Sequence, residues 1–215
     1  MIELHHLNNS RSQRVAWLLE EIGLPYNVIT YERDAVTMLA PEALSKIHPI
    51  GKSPVIRDGD VVLAESGAIV EYLSDKYASG RLAPKADAPE RPSYLYWLHY
   101  AEGSLMPPIL LVFYEARLGH TMSPDMKERI ARQLGNHFAM VEKQLANSRY
   151  FLGDAISGAD IMMSFVLEMA MSLNLLHDYP RSTEYLSHIH GLPGYKAALA
   201  KSNSFDMAGL VGNET

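Results

Sequence analysis

Ser10 lies where an extended run, residues 2–6, gives way to a helical pattern. Backbone N–H groups at a helix start have no intrahelical partner and carry partial positive charge, so an anion is favoured beside them. A hydroxyl there has two possible jobs: it caps the helix by accepting from a backbone N–H, or it donates to an anion held at the turn. The chain contains no cysteine, so it offers no thiol nucleophile, no disulfide and no thiolate metal ligand. Any thiol chemistry must therefore use a thiol brought by a ligand. A free thiol has a pKa of about 8.5, and only the thiolate is a good nucleophile. The Ser10 hydroxyl and the helix end together would keep such a thiol ionised. Ser10 would then act as a thiolate stabiliser, neither nucleophile nor general base. Ser12 and Asn9 stand in the same turn and compete for the role.

A second strand-to-helix turn carries Glu65 and Ser66. Ser66 suits an N-cap, and Glu65 is an acid beside a helix N-terminus. Lys52 follows a glycine in a loop, where a lysine is ordinarily solvated, and Pro54 opens a strand, where a missing N–H is tolerated. The histidines form no HExxH-like ligand cluster. His5 and His6 fall on opposite strand faces, and His188 and His190 are wrongly spaced for one helix face. All four read as ordinary polar positions.

The elements that must position these residues come in two rhythms. Residues 2–6 and 26–31 read as strands, separated by a helix whose Val15, Leu18, Leu19 and Ile22 share one face and which Gly23 ends. A weak helical piece follows at 41–47. Two apolar runs then flank Asp58-Gly59, the mark of a tight hairpin, and Ser66 opens another helix. The order is β-α-β-α-β-β-α, over residues 1–78. Residues 79–89 hold Gly and two Pro and read as a linker. From 90 to 215 no strand pattern appears. Pro92 suits a first helical turn, Pro107-Pro108 must bend or break a helix, and 161–176 is apolar nearly all round, so that helix is expected in the middle of its domain. Ser157 and Asp160 fit a capping box ahead of it. The fold class is thus α/β followed by all-α.

The strings His5-His6-Leu7-Asn8-Asn9-Ser10-Arg11-Ser12-Gln13-Arg14, Pro49-Ile50-Gly51-Lys52-Ser53-Pro54, Ala64-Glu65-Ser66-Gly67-Ala68-Ile69 and Ser157-Gly158-Ala159-Asp160-Ile161, in this order and spacing, resemble the cytosolic glutathione S-transferases. The first string is most similar to the serine-type members, theta-like, bacterial and fungal proteins included, through the spacing of Ser10 to Arg14. The resemblance implies a thioredoxin-like domain that binds glutathione, then a helical domain that forms the second-substrate pocket. It implies that the Ser53–Pro54 bond is cis, turning the Ser53 backbone toward the cysteinyl part of glutathione. It gives the γ-glutamyl end to Glu65 and Ser66 and the glycyl carboxylate to Lys52. It also implies a homodimer in which an acidic residue early in the second domain reaches the partner's glutathione, and Glu102 is the candidate. Tyr100, Met106 and Phe113 are the candidate pocket wall, although aromatic and Met residues at such spacings are more often core than ligand wall.

The expected function is conjugation of the glutathione thiolate to an electrophilic small molecule, with glutathione as co-substrate and no metal. Glutathione-dependent peroxidase, isomerase or dehalogenase activity uses the same thiolate, and a non-catalytic binding or regulatory module uses the same fold. The formal net charge of −6 argues against a nucleic-acid partner. No run approaches the ~20 apolar residues of a membrane span, and residues 1–4 lack a signal-peptide pattern, so a cytoplasmic protein is expected.

Overall fold

A computed structural model of the chain describes residues 1–202. The first elements are β1 (Ile2–Leu7), α1 (Ser12–Ile22), β2 (Tyr26–Tyr31), a 3-10 turn (Glu42–Lys46), β3 (Val55–Asp58), β4 (Val61–Ala64) and α2 (Ser66–Tyr77). The second helix of the expected order is thus only a single 3-10 turn. The sheet has the order β2-β1-β3-β4, with β1 parallel to β2 and antiparallel to β3. A parallel neighbour requires a crossover, and α1 supplies it. The hairpin closes through Gly59-Asp60, where Gly59 takes a φ of 61°. The Asp58 carboxylate then accepts from Tyr72, Lys76 and Tyr77, pinning the hairpin to α2.

The remaining helices are α3 (Arg91–Tyr100), α4 (Met106–Leu118), α5 (Pro124–Leu145), α6 (Gly158–Ser172), α7 (Pro180–Gly191) and α8 (Pro193–Ser202). A π-helical stretch, Ala101–Leu105, joins α3 to α4, and the Pro107-Pro108 pair falls in the first turn of α4. The backbone stays right-handed helical at Tyr100, Ala101, Leu105 and Met106, so the helix does not break; the irregular turn is the π-helical one directly before the pair. Every residue from Gly158 to Ala170 is buried, as the apolar composition of α6 requires. Its start is fixed by the Asp160 carboxylate, which takes the Phe151 N–H and Tyr185 O–H on one oxygen and the Ser157 N–H and O–H on the other. Complete burial pushes this carboxyl up to about 6, against the pull of those four donors.

The chain divides into two compact units. Among the described residues the first holds Met1–Lys85 and 190–202, and the second holds Ala86–Ile189. Two sequence boundaries therefore shift. Residues 79–89 do not form a free linker throughout, because Leu82 and Ala83 are buried and the Arg81 guanidinium donates to the Ile22 carbonyl at 3.1 Å. The C-terminal stretch is not uniformly part of the helical unit either, since α8 packs along α1. The pattern of Val15, Leu18, Leu19 and Ile22 implied a helix with one apolar face, yet Gln13, Arg14, Ala16 and Trp17 are buried too. For Gln13 and Trp17 the reason is α8: Tyr195 meets the edge of Trp17 at 5.4 Å and takes a hydrogen bond from Gln13, while Lys201 pairs with Glu20 at 2.6 Å.

Candidate functional site

The turn between β1 and α1 is a tight hydrogen-bonded knot. Ser10 is 7% exposed and stands one residue before the cap position of α1, which belongs to Arg11 and makes no side-chain cap; the Ser10 carbonyl accepts from Gln13 N and its hydroxyl from Ser12 N. Accepting there and donating elsewhere are compatible, because a hydroxyl has one donor and two acceptor positions. Its Oγ lies 2.8 Å from the Leu7 carbonyl and 2.7 Å from the Ser12 Oγ. Ser12, fully buried, is in turn 2.8 Å from His6 Nδ1 and 3.3 Å from the same Leu7 carbonyl. Asn9, the third residue weighed for this role, adopts φ 49°, and Arg33 braces its carbonyl and that of Asn8. Arg33 and His6 had no signal of their own in the sequence. Their roles come from elements that meet only in the fold.

Burial holds the His6 imidazole down to about 4, so it is neutral at pH 7. The Ser202 backbone lies near enough to favour its protonated form, but no aligned hydrogen bond reaches Nε2, which is buried without a partner among the described residues.

The other expected glutathione contacts lie in the same unit. The Ser53–Pro54 bond is cis, as the resemblance implies. The Ser53 hydroxyl donates to the His5 carbonyl and accepts from Leu7 N, so the start of β3 is stapled to β1 just before the Ser10 turn. Lys52 is exposed beside it. Ser66 is the first residue of α2 and not its N-cap, correcting the sequence reading. The cap position belongs to Glu65, which makes no side-chain cap. Glu65 is exposed and holds φ 71° and ψ 115°, a region costly for a residue with a side chain.

In the second unit, Tyr100 ends α3, Glu102 lies half-buried on the π-helical stretch, Met106 opens α4 and Phe113 follows on α4. Tyr100 hydrogen-bonds His137, and burial raises its pKa. Tyr100 and Met106 are buried, whereas Phe113 is half-buried and packs on Tyr114. Among the described residues no group of three or more His, Asp or Glu could hold a metal, and no helix is long and apolar enough to cross a membrane.

Comparison with known proteins agrees with this architecture. The family model for the glutathione S-transferase N-terminal domain matches residues 1–75, and that for the C-terminal domain matches 105–193. The chain is 32% identical to glutathione S-transferase 1 of Saccharomyces cerevisiae, over 95% of this chain and 96% of that one. It is 36% identical to glutathione S-transferase 3 of Schizosaccharomyces pombe, over 77% of this chain and 72% of the relative. A solved glutathione S-transferase from Actinobacillus pleuropneumoniae superposes with a TM-score of 0.89 at 35% identity, covering 98% of this chain and 99% of its own. The chain belongs to the glutathione S-transferase family, with its thioredoxin-like domain first and its helical domain second. Glutathione is the co-substrate of that family, and a family member from Pseudomonas fluorescens, 25% identical with a TM-score of 0.78, was solved with two glutathiones bound.

Proposed function

We propose that this transferase joins the thiolate of glutathione to an electrophilic carbon of a small molecule, and that it works in the cytoplasm as a homodimer. The observation that carries the reading is the Ser10 hydroxyl, poised at the start of α1 in a turn with neither tyrosine nor cysteine. In this reading Ser10 donates to the thiolate. The Ser53 backbone pairs with the cysteinyl backbone of glutathione, Pro54 sets its direction, and Lys52 faces the glycyl carboxylate. Glu65 takes the γ-glutamyl ammonium, while Ser66 and the α2 N-terminus take its carboxylate. Phe113 offers apolar surface to the electrophile, while Tyr100 and Met106, both buried, support the same helical run from the core.

The protein is expected to bind immobilised glutathione and to conjugate glutathione to an aryl halide. The sulfur–carbon bond forms as the halide leaves with its electron pair. Intact mass after exposure to oxidised glutathione is expected to stay unchanged, because a chain without cysteine has no thiol to form a mixed disulfide. Binding without conjugation would reduce the protein to a binding module, and a glutathione-sized mass gain would contradict the chemistry.

Glu102 is assigned to the glutathione held by the second copy in the dimer. Glu102→Gln keeps shape and removes charge, so glutathione affinity is expected to fall several-fold, by about 1 kcal/mol for a partly solvated pair, with the dimer intact. Calorimetric titration beside sedimentation checks this. A dimeric variant with unchanged affinity removes Glu102 from the site, and a monomeric wild-type protein removes the cross-subunit arrangement.

A further inference from the structure

A cavity in the second unit has no part in the chemistry proposed above. Its volume is about 160 Å³, and it lies between the end of α5, the segment that follows, and α7. All of its lining falls within residues 86–189. The floor is apolar. Leu145 and Tyr185 are buried there, and the Tyr185 hydroxyl is committed to Asp160 at 3.0 Å, so what Tyr185 offers the cavity is its ring. The rim is charged and exposed, with Arg149 from the segment after α5 and Arg181 and Glu184 from α7.

Neither guanidinium is saturated. Arg149 donates from Nε to His188 Nε2 at 3.2 Å and lies over the Tyr150 ring, 5.9 Å from its centre, and these two contacts hold it in place. Arg181 gives one terminal nitrogen to Glu184 at 3.0 Å, in a pair whose side chains are 53% and 64% exposed and which is therefore weak. A guanidinium has five N–H donors, so both keep several for an incoming acceptor. A guanidinium also only donates, so His188 accepts through Nε2 and is neutral; burial and the Arg149 charge lower its pKa in keeping with this. Two guanidinium charges against one carboxylate leave a single positive charge in excess. The N-terminus of α7 adds nothing, because Glu142 already takes the Arg181 and Ser182 N–H groups.

An apolar cavity of about 150 Å³ accepts one benzene ring. Room for a ring, an apolar floor and one excess positive charge at the rim together describe an aromatic acid. We propose that this cavity binds a small aromatic monocarboxylate, with its ring on Leu145 and Tyr185 and its carboxylate between Arg149 and Arg181. Inorganic phosphate matches less well, since it would leave the apolar floor uncovered.

The test uses benzoate, titrated into the whole protein with S-hexylglutathione in excess to fill the glutathione and electrophile sites, and read by NMR from the ring signals of His188. A saturating shift with a Kd of about 1 mM or tighter is expected. Benzamide has the shape without the charge and phosphate the charge without the ring, and each is expected to bind at least about tenfold more weakly. R149M and R181M keep an unbranched apolar stem and lose the charge, so each should weaken benzoate about tenfold. Their ligand-free melts and aryl halide conjugation should match wild type. E184Q frees Arg181 and raises the local charge, so it should tighten benzoate several-fold, which a purely structural ion pair would not do. His188 signals unmoved at about 10 mM benzoate, or unchanged affinity in both arginine variants, would overturn the site. Weaker binding in E184Q would overturn the placing of the carboxylate on Arg181. Benzamide or phosphate binding as tightly as benzoate would overturn the aromatic carboxylate as its ligand.

Discussion

Asp160→Ala is expected to destabilise the protein by about 3–5 kcal/mol, the largest loss available from one polar side chain in the second unit. The carboxylate is fully buried and answers two backbone N–H groups and two hydroxyls. Ser157 can turn its hydroxyl elsewhere, but Phe151 N, Ser157 N and Tyr185 O–H would be left as buried donors, each costing roughly 1–3 kcal/mol, less than additively. The loss of the capping box is included in that sum and is not extra. For a chain of this size the midpoint should fall by about 6–20 °C. Asp160→Asn keeps one acceptor oxygen and should lose about half as much. Denaturant titration of both variants decides it, and a loss below about 1 kcal/mol for Ala would mean that water or rearranged neighbours replace the carboxylate.

Glu65→Gly should move stability and binding in opposite directions. Holding a residue with a Cβ at φ 71°, ψ 115° costs about 1–3 kcal/mol, which glycine does not incur. The greater freedom of glycine in the unfolded chain returns about 0.5–1 kcal/mol of that gain. The variant is therefore expected to melt higher, by about 1 kcal/mol in stability. With the carboxylate gone, glutathione affinity should fall by one to two orders of magnitude, matching about 1.5–3 kcal/mol for a charge-assisted bond to its ammonium. Glu65→Ala serves as the control, because it loses the same affinity but keeps the strained backbone and gains no stability. Calorimetry and melts on the two variants separate the terms. Glycine with wild-type affinity would remove Glu65 from the site, and glycine that melts lower would show that the backbone there is not strained.

The strands, the hairpin, the buried α6 and its capping box were legible in the sequence because each depends on residues a few positions apart. Ser10, Glu65 and Ser66 were legible for the same reason, as markers of turns between a strand and a helix. Non-local features were not. His6 looked like one of two idle histidines, and its meeting with Ser12 requires the crossover of α1 over β1. The left-handed backbone of Glu65 could not be read from a residue type that ordinarily avoids it. The burial of Trp17 and Gln13 depends on a helix some 180 positions away, beyond the reach of any periodicity.

That distant helix also sets the order in which the chain can finish folding. Gln13 bonds Tyr195 across 182 positions, and Lys201 reaches Glu20 across 181. The equilibrium penalty for so long a loop is modest, because closure entropy grows only with the logarithm of length. The kinetic consequence is larger. On the ribosome, at roughly 5–20 residues per second, the Trp17 side of α1 waits on the order of 10–40 s for its cover to be made. The glutathione unit is therefore begun first and completed last. A chain stopped anywhere before α8 would display Trp17 and its neighbours to chaperones and proteases, however well its sheet had formed.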